Sequence, residues 1–537
     1  MLVKPATVDG PRSPRYVLPM DKACLKTARL SGLILIVITS VTLLGQPTAK
    51  AEAPTPGFNN VIPAEILTPD TVENRIGTLE FFDGMPTKKT SDLLYDNLLL
   101  MRGTEAFLDF IPAASLEAMR EGTIKMGATA ANDCIVFDDL MTSDSLFLTG
   151  NTDTVYASCI LDLERDGPTV IEVPAGAGPG TVNDAFFRFV IDTGAPGPDR
   201  GKGGKYLILP PGYEGDIPEG YFVATSPSYI NWAILRGFLK DGKPDAASKM
   251  WKEGLKVYPL SRVNDQPKMK FISGTGNETN TIHANNYKFF DELDIVIQRE
   301  PVEFIDPELR GLLASIGIEK GKKFSPDERE REILAEAAEI GNATSRALAF
   351  DPRSDTIAIY PDKQWVVAFD GGDYRWLRDG GNGGRNLDAR SIFFYIATVN
   401  TPAMVLKMVG AGSQYALAAR DAQGNYLDGS ETYKLTLPAG IPAKDFWSVV
   451  VYDPQTRSML QTEQPYPSKN SERNPDIVTN ADGSTDLYFG PKAPEGKQAN
   501  WIATVPGKAW FTILRLYGPL QSWFDQSWQP GDIEKIS

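Results

Sequence analysis

The sequence contains a single histidine, His283, among 537 residues. Histidine is a common metal ligand, the usual base of catalytic triads and the side chain that ordinarily changes charge near neutral pH. Because metal-dependent jelly-roll enzymes of the cupin kind need two or more imidazoles, we expect no metal and no cofactor. We place His283 in a polar loop that leads into a helix. Its replacement by alanine is then expected to change stability by less than about 1 kcal/mol, as ordinary surface changes do.

Cysteine is also scarce, with three residues in the whole chain. Cys24 lies in the amino-terminal segment, which leaves Cys134 and Cys159 in the remainder. In an oxidising compartment these two could form a disulfide, but two small buried thiols are the more common outcome.

The amino terminus has the order of a secretory signal peptide. Basic residues between positions 22 and 29 precede an apolar run at 30–44, and a small-x-small cleavage site follows at 49–51. An uncleaved membrane anchor is the alternative, but 15 residues at about 1.5 Å each do not span a hydrocarbon core of roughly 30 Å. We predict cleavage before Glu52 and export to the periplasm or the medium.

The composition is acidic, with 54 basic and 69 acidic side chains. Removal of residues 1–51 takes away seven basic and two acidic side chains, which leaves 47 and 67 and a net charge of −20. A surface this negative repels phosphate backbones and anionic lipids. We expect no nucleic-acid partner and no stable membrane insertion after processing.

Hydrophobic periodicity predicts a mainly β protein. A helical segment at 52–130, with its clearest pattern from 71 to 121, is followed by short β runs at 131–275. A helical insert at 276–352 precedes a second series of short strands at 353–537, which includes the apolar run 393–399. We predict two jelly-roll-like antiparallel sandwiches with an N-terminal helical segment and a helical insert between them.

Several sequence stretches resemble a pair of bacterial domains of unknown function, numbered 1254 and 1214. Residues 180–192 and 203–213 resemble the first domain, and residues 452–460, 500–502 and 515–519 resemble the second. The resemblance spans most of residues 60 to 535. It implies a double jelly roll, arranged as in certain viral capsid subunits, and a trimer. It implies no established reaction and no catalytic residues.

The best polar group of the first β segment lies in 183–192, which we predict to be one strand. Asp184, Arg188 and Asp192 would share a face, but charges four residues apart lie about 13 Å from each other along a strand and cannot pair directly. Asp153 is a candidate partner on a neighbouring strand. We take Asp184, Asp192 and Asp153 as candidate catalytic carboxylates and Arg188 as a binding residue; a salt-bridged sheet face is the plainer interpretation.

The second β segment has a loop at 378–386 that is rich in glycine and asparagine. Arg385, Asp388 and Arg390 lie in it or directly after it, where a strand is predicted to begin. Backbone N–H groups in such a loop can bind an anion, although the order of residues is not that of a nucleotide-binding loop. We take these three as candidate binding residues.

Three classes of function stay open. The first is a homo-oligomeric protein that binds or assembles through its sandwich surfaces, with a glycan or another small molecule as ligand. The second is a hydrolase or lyase acting on a glycan or small ester through carboxylates, because histidine is missing. The third, a metal-dependent jelly-roll enzyme, conflicts with the single histidine.

Overall fold

The structure, a computed structural model, describes residues 62–536, which fall into two compact units at 62–86 and 87–536. The first unit is an antiparallel sheet of β1 (Thr71–Asn74), β2 (Gly77–Phe82) and β3 (Met85–Pro86). The prediction of a helical pattern from residue 71 is therefore wrong up to residue 86. Asp83 and Gly84, with φ of 48° and 79°, form the two-residue turn that joins β2 to β3.

The helices of the second unit are α1 (Lys88–Lys125), α2 (Leu163–Asp166), α3 (Asp245–Gly254), α4 (Lys288–Arg299), α5 (Pro307–Ala314), α6 (Glu328–Phe350), α7 (Leu387–Ile396), α8 (Pro402–Val405) and α9 (Gln521–Phe524). Its first strands are β4 (Asp133–Val136), β5 (Ser145–Leu146), β6 (Thr154–Asp162), β7 (Thr169–Val173), β8 (Pro179–Asp184), β9 (Phe189–Gly194), β10 (Gly204–Leu209), β11 (Phe222–Thr225), β12 (Ile230–Phe238), β13 (Lys256–Pro259), β14 (Lys270–Ser273) and β15 (Thr279–Asn280). The later strands are β16 (Val366–Val367), β17 (Ser413–Ala418), β18 (Thr432–Leu437), β19 (Ala443–Tyr452), β20 (Ser468–Asn470), β21 (Thr485–Gly490), β22 (Trp501–Ala503), β23 (Phe511–Pro519) and β24 (Ile533–Ile536).

The described residues are 27% helix and 28% strand, and the strands form several sheets. In the first β region (131–275), a six-stranded sheet has the order β14-β4-β6-β12-β8-β9 and a four-stranded sheet has the order β11-β10-β7-β13. Val155 and Ala157 of the larger sheet share an apolar core with Ile171 and Val173 of the smaller sheet. One face of each sheet is therefore buried against the other sheet.

The second β region (353–537) repeats this arrangement. A five-stranded sheet has the order β16-β17-β23-β19-β20, and a four-stranded sheet has the order β22-β21-β18-β24. Leu514 and Leu516 of β23 share a core with Leu435 and Leu437 of β18. Pairing is mixed in both regions, because β10–β11, β4–β14 and β21–β22 run parallel.

The largest apolar cluster lies between the two regions. The outer face of each large sheet contributes to it, with Ile234 of β12 and Ile513 of β23 as examples. Helices α1, α4 and α7 contribute Phe107, Phe289 and Phe394. The two large sheets consequently direct alternate residues of β12 and β23 toward the same interior.

Residues 387–396 form helix α7, so the prediction of a strand beginning at 393 is wrong. Asn386 caps the helix by accepting a hydrogen bond from the Ala389 backbone N–H at 3.4 Å. Every residue from Ala389 to Ile396 is buried. A helix buried on all sides has no amphipathic pattern, and a short apolar run then does not distinguish helix from strand.

Residues 183–192 form a tight hairpin and not a single strand. Strand β8 ends at Asp184 and β9 begins at Phe189, with Phe187 at a φ of 53° in the turn. The turn brings the Arg188 Nε to 2.5 Å from Asp184 Oδ2. The prediction that these two charges cannot pair directly is therefore wrong.

His283 lies in the expected loop, between β15 and α4, but it is 3% exposed. Its ring contacts Phe107 and Phe289 edge to face. Nδ1 lies 2.9 Å from the Ala284 carbonyl oxygen, and Nε2 is buried with no hydrogen-bond partner in the part of the chain that the structure describes. The expectation of an ordinary surface position is wrong, because rings from the distant helices α1 and α7 cover this loop together with Phe289 of the adjacent α4.

Cys134 and Cys159 lie opposite each other on β4 and β6, and both are buried free thiols. Their sulfur atoms are 2.7 Å apart. Burial, with smaller contributions from Cys159, raises the pKa of the Cys134 thiol, which disfavours the reactive thiolate.

The predicted leader at 1–51 and the cleavage site before Glu52 lie outside the described residues. Within 62–536, no helix combines the length and the apolar character needed to cross a bilayer.

Candidate ligand-binding site

A cavity of about 260 Å³ opens where the two β regions meet, and we call it the junction cavity. Strands β8, β9 and β12 of the first β region form one side of it. Residues 399–413 of the second β region, which lead into β17, form the other side. Clefts between packed domains are common positions for small-molecule sites.

Arg236 is one of three charged side chains that line this cavity, with Asp192 and Arg200. On β12, Trp232, Ile234 and Arg236 alternate toward the interior between the two regions, whereas Ala233 and Leu235 face the first sandwich core. Arg236 is partly buried, and its guanidinium lies 5.7 Å from the ring centre of Tyr156, its cross-strand neighbour on β6. Among residues 62–536 no carboxylate lies within ion-pair distance of it.

A smaller cavity of about 60 Å³ adjoins the junction cavity, and Arg236 lines both. Its other side includes Arg515, which is 3% exposed and lies opposite Tyr415 across β23 and β17. Arg515 Nη2 donates to the Thr149 carbonyl at 2.9 Å, and its Nη1 has no hydrogen-bond partner in the described chain. Each large sheet thus presents one arginine–tyrosine pair toward the junction. Two guanidiniums disfavour a metal cation and favour an anionic group.

Asp192 is the one predicted catalytic carboxylate that lines the junction cavity. It accepts a hydrogen bond from the Thr401 hydroxyl at 2.6 Å. Burial raises the pKa of Asp192, while hydrogen bonds from Thr401 and Thr181 and the charge of Arg236 act against that rise. Burial therefore favours the protonated form of Asp192 more than it would for a solvent-exposed aspartate.

The wall of the cavity contains a strained residue. Val399 lines both cavities at a φ of 70°. This left-handed conformation is unfavourable for a β-branched side chain and is retained where the surrounding structure forces it. Such residues concentrate at binding sites, which agrees with the position of Val399 here.

The other two predicted carboxylates do not line the junction cavity. Asp184 is fully buried at the β8–β9 turn, where burial raises its pKa although Arg188 and two backbone N–H groups act against the rise. Asp153 precedes β6 and accepts hydrogen bonds from Ser448, Asn470 and Tyr517 of the second β region. The structure therefore gives Asp153 a role in joining the two regions and does not bring the three carboxylates together.

The predicted binding arginines converge at a different place. Arg188, Arg385 and Arg390 all line a cavity of about 380 Å³, which we call the aromatic cavity. Asp388 is exposed and is not among its lining residues. Arg236 and Arg515 are not among the residues predicted from the sequence. An arginine at an inward position of an otherwise apolar strand is the signal that could have found Arg236.

Comparison with known families confirms the predicted domain pair. A family described as protein of unknown function DUF1254 matches residues 131–259, and one described as protein of unknown function DUF1214 matches residues 412–521. The two matches occur in that order from the amino terminus. The first domain supplies Arg236 and the second supplies Arg515, so the paired arginines of the junction need both.

One solved structure shares this fold, and a second matches the chain at a lower score. The VPA0106 protein from Vibrio parahaemolyticus is 17% identical over 82% of this chain and 100% of its own, with a TM-score of 0.50. An uncharacterised protein from Burkholderia cenocepacia is 11% identical over 83% of this chain and 97% of its own, with a TM-score of 0.39. No curated protein sequence matches this chain.

Proposed function

We propose that the protein binds a small amphiphilic anion in the junction cavity. The observation that carries the proposal is Arg236, a partly buried guanidinium with no ion-pair partner in the described chain, at the cavity wall. A charge in that position is costly to bury unless a counter-charge reaches it, and Asp192, which lines the same cavity, lies beyond ion-pair distance. A ligand carboxylate or similar anion would supply that counter-charge.

The remaining wall indicates what the rest of the ligand is like. Ile234, Met404, Leu406 and Met408 line the cavity together with several prolines. Methionine side chains adapt to ligands of irregular shape, and aliphatic walls favour hydrocarbon. An alkyl or acyl chain in the larger cavity, with its anionic head at Arg236 and the adjoining Arg515, fits this arrangement.

Titration calorimetry with octanoate and octan-1-ol tests the proposal on the chain that begins at Glu52. Octanoate should bind saturably, and the uncharged alcohol should bind at least about tenfold more weakly, because an arginine–carboxylate bond is charge-assisted. The variant Arg236→Gln should bind octanoate about tenfold more weakly than the wild type does, and its affinity for the alcohol should change little.

Arg331→Gln is the matched control, since Arg331 also lies over a tyrosine ring but is exposed on a helix outside the cavity. It should leave octanoate binding within about twofold. Equal binding of acid and alcohol, or an unchanged affinity in Arg236→Gln, would refute the proposal.

A second candidate is a hydrolase acting on a small ester in the same cavity. Asp192 favours it, because this carboxyl group lines the cavity. Burial raises the pKa of Asp192, and hydrogen bonds from Thr401 and Thr181 act against that rise. Such a group can donate or accept a proton without histidine. Release of acid from a panel of short-chain esters, abolished in Asp192→Asn with the fold intact, would support this activity. Turnover that survives the substitution would exclude Asp192 as its acid or base.

We further propose that the chain is exported, cleaved before Glu52 and assembled as a trimer of jelly-roll-type sandwiches. The order of basic, apolar and small residues at 22–51 supports export and cleavage. The jelly-roll form and the trimer are what the resemblance to the domain pair implies. Mass spectrometry of protein from the native host and sedimentation of the processed chain test them. An intact Met1 in the exported fraction would contradict cleavage. A monomer at micromolar concentration would contradict the trimer.

A further inference from the structure

The aromatic cavity is separate from the junction cavity in its lining and its chemistry. Its walls come from the β8–β9 turn, the start of α5, residues 374–377 and α7. Phe189 and Tyr374 are partly exposed there and contact each other edge to face, with ring centres 5.9 Å apart. Their rings leave apolar faces against which a flat or ring-shaped ligand can pack.

Four arginines line this cavity, and three of them are already paired with carboxylates. Arg188, Arg375 and Arg390 form ion pairs with Asp184, Asp373 and Asp109 at 2.5, 2.9 and 2.6 Å. Arg385 is exposed and donates to the Arg375 backbone carbonyl, and no carboxylate of the described chain lies within ion-pair distance of it. Asp306, which also lines the cavity, accepts from the Leu309 backbone N–H at the start of α5. One guanidinium is therefore available for an external anion.

Three buried polar atoms on lining residues have no partner in the described chain. They are the Trp376 Nε1, the Arg390 Nε and the Asn400 Oδ1, and each of the three side chains is more than nine-tenths buried. Two are donors and one is an acceptor. Buried polar atoms are rarely left unpaired, so each of the three marks a position where a hydrogen-bonding group, from an ordered water or a ligand, is expected.

Backbone strain marks the same cavity. Trp376 and Phe187 line it with φ of 60° and 53°. Large aromatic residues adopt this conformation only where the surrounding structure forces it. The strained turns hold these two rings, together with Phe394 stacked on Phe187 at 5.3 Å, in the wall of the cavity.

From these observations we infer that the aromatic cavity binds a carboxylated sugar ring of the uronic acid class. The rings of Phe189 and Tyr374 pack against the apolar face of the pyranose. Its hydroxyl groups, which donate and accept, pair with Trp376 and Asn400. Its carboxylate binds Arg385 through the bidentate geometry that guanidinium and carboxylate share. The volume of about 380 Å³ lies in the range of small-ligand pockets.

Titration calorimetry with oligogalacturonate and the neutral oligogalactan of the same length tests this inference. The chain from Glu52 should bind the acidic oligosaccharide saturably and the neutral one at least tenfold more weakly. Arg385→Ala should lower the affinity for the acidic oligosaccharide at least tenfold. Trp376→Phe keeps a buried ring and removes the indole N–H. It should lower the affinities for the acidic and the neutral sugar by similar factors.

Arg378→Ala is the matched control, because Arg378 is an exposed arginine of the same loop that does not line the cavity. It should change affinity less than twofold, and Arg236→Gln in the junction cavity should leave the sugar affinity unchanged. Absence of saturable binding, equal affinity for the neutral sugar, or an equal loss in Arg378→Ala would overturn the inference. A failure of octanoate binding alone would leave it intact, since the two sites share no lining residue.

Discussion

At the scale of single residues, His283 shows how an uncommon residue in a polar loop can be buried by distant elements. His283→Ala removes a ring packed against Phe107 and Phe289, so the free energy of unfolding should fall by about 2 to 4 kcal/mol at pH 7. Urea denaturation measures this change. A loss below about 1 kcal/mol would restore the surface interpretation.

The histidine also makes the fold sensitive to acid. Burial, reinforced by the charge of Arg457, lowers the pKa of His283 from 6.5 to about 3. A depressed histidine pKa contributes stability that is present above about pH 6.5 and is lost as the pH falls toward 3.

A buried glutamate acts in the opposite direction. Burial raises the pKa of Glu300 from 4.5 to about 7, although the Tyr229 and Ile230 backbone N–H groups donate to it at 2.6 and 3.0 Å. The folded state then binds the proton more tightly than the unfolded state. Its contribution to stability is complete below about pH 4.5 and is lost as the pH rises through 7.

Glu300→Gln should therefore reduce the loss of stability between pH 5 and pH 8 by up to about 3 kcal/mol. Unfolding free energies of wild type and variant at the two pH values provide the measurement. Part of the loss should remain in the variant, because burial also raises the pKa of Glu292 to about 7. Identical pH profiles for the two proteins would contradict this assignment.

At the scale of elements, α1 and α6 approach closely because glycines lie at their contact. A Cβ built on Gly341 of α6 would lie 2.6 Å from the Phe107 ring of α1. Gly341→Ala should lower stability by about 1 to 2 kcal/mol, because overpacking outweighs the roughly 1 kcal/mol that alanine contributes to a helix. Thermal and urea unfolding measure the change.

Gly311 in α5 provides the control for that substitution, since a Cβ added at this glycine would have no neighbouring atom within 4 Å. Gly311→Ala should raise stability by about 0.5 to 1 kcal/mol. Equal effects at both glycines would show that helix propensity, and not the contact with Phe107, determines the result.

At the scale of the whole molecule, Asp153 connects the two β regions through three side chains. Its carboxylate accepts from Ser448 at 2.6 Å and from Asn470 and Tyr517 at 3.0 Å each. Asp153→Ala leaves three buried donors unpaired and should cost about 3 kcal/mol or more of unfolding free energy. Chemical denaturation measures this change. Asp362→Ala, at an exposed aspartate, is the control and should change the unfolding free energy little.

The sequence by itself determined the mainly β character, the order of the two domains and the residue types available for chemistry. Alternation along 230–238 indicates which residues share a face, because that period is local to a strand. The single histidine likewise limits the chemistry without any knowledge of the fold.

The tertiary structure alone decided which distant residues meet. The tight β8–β9 turn pairs Asp184 with Arg188, and the burial of Ala389–Ile396 of α7 removes the amphipathic pattern by which a helix is recognised in a sequence. Arg236 and Arg515 come together because two sheets, far apart in the chain, pack their outer faces toward one core. Local periodicity specifies a face but not its partner, which depends on how separate elements fill the same interior.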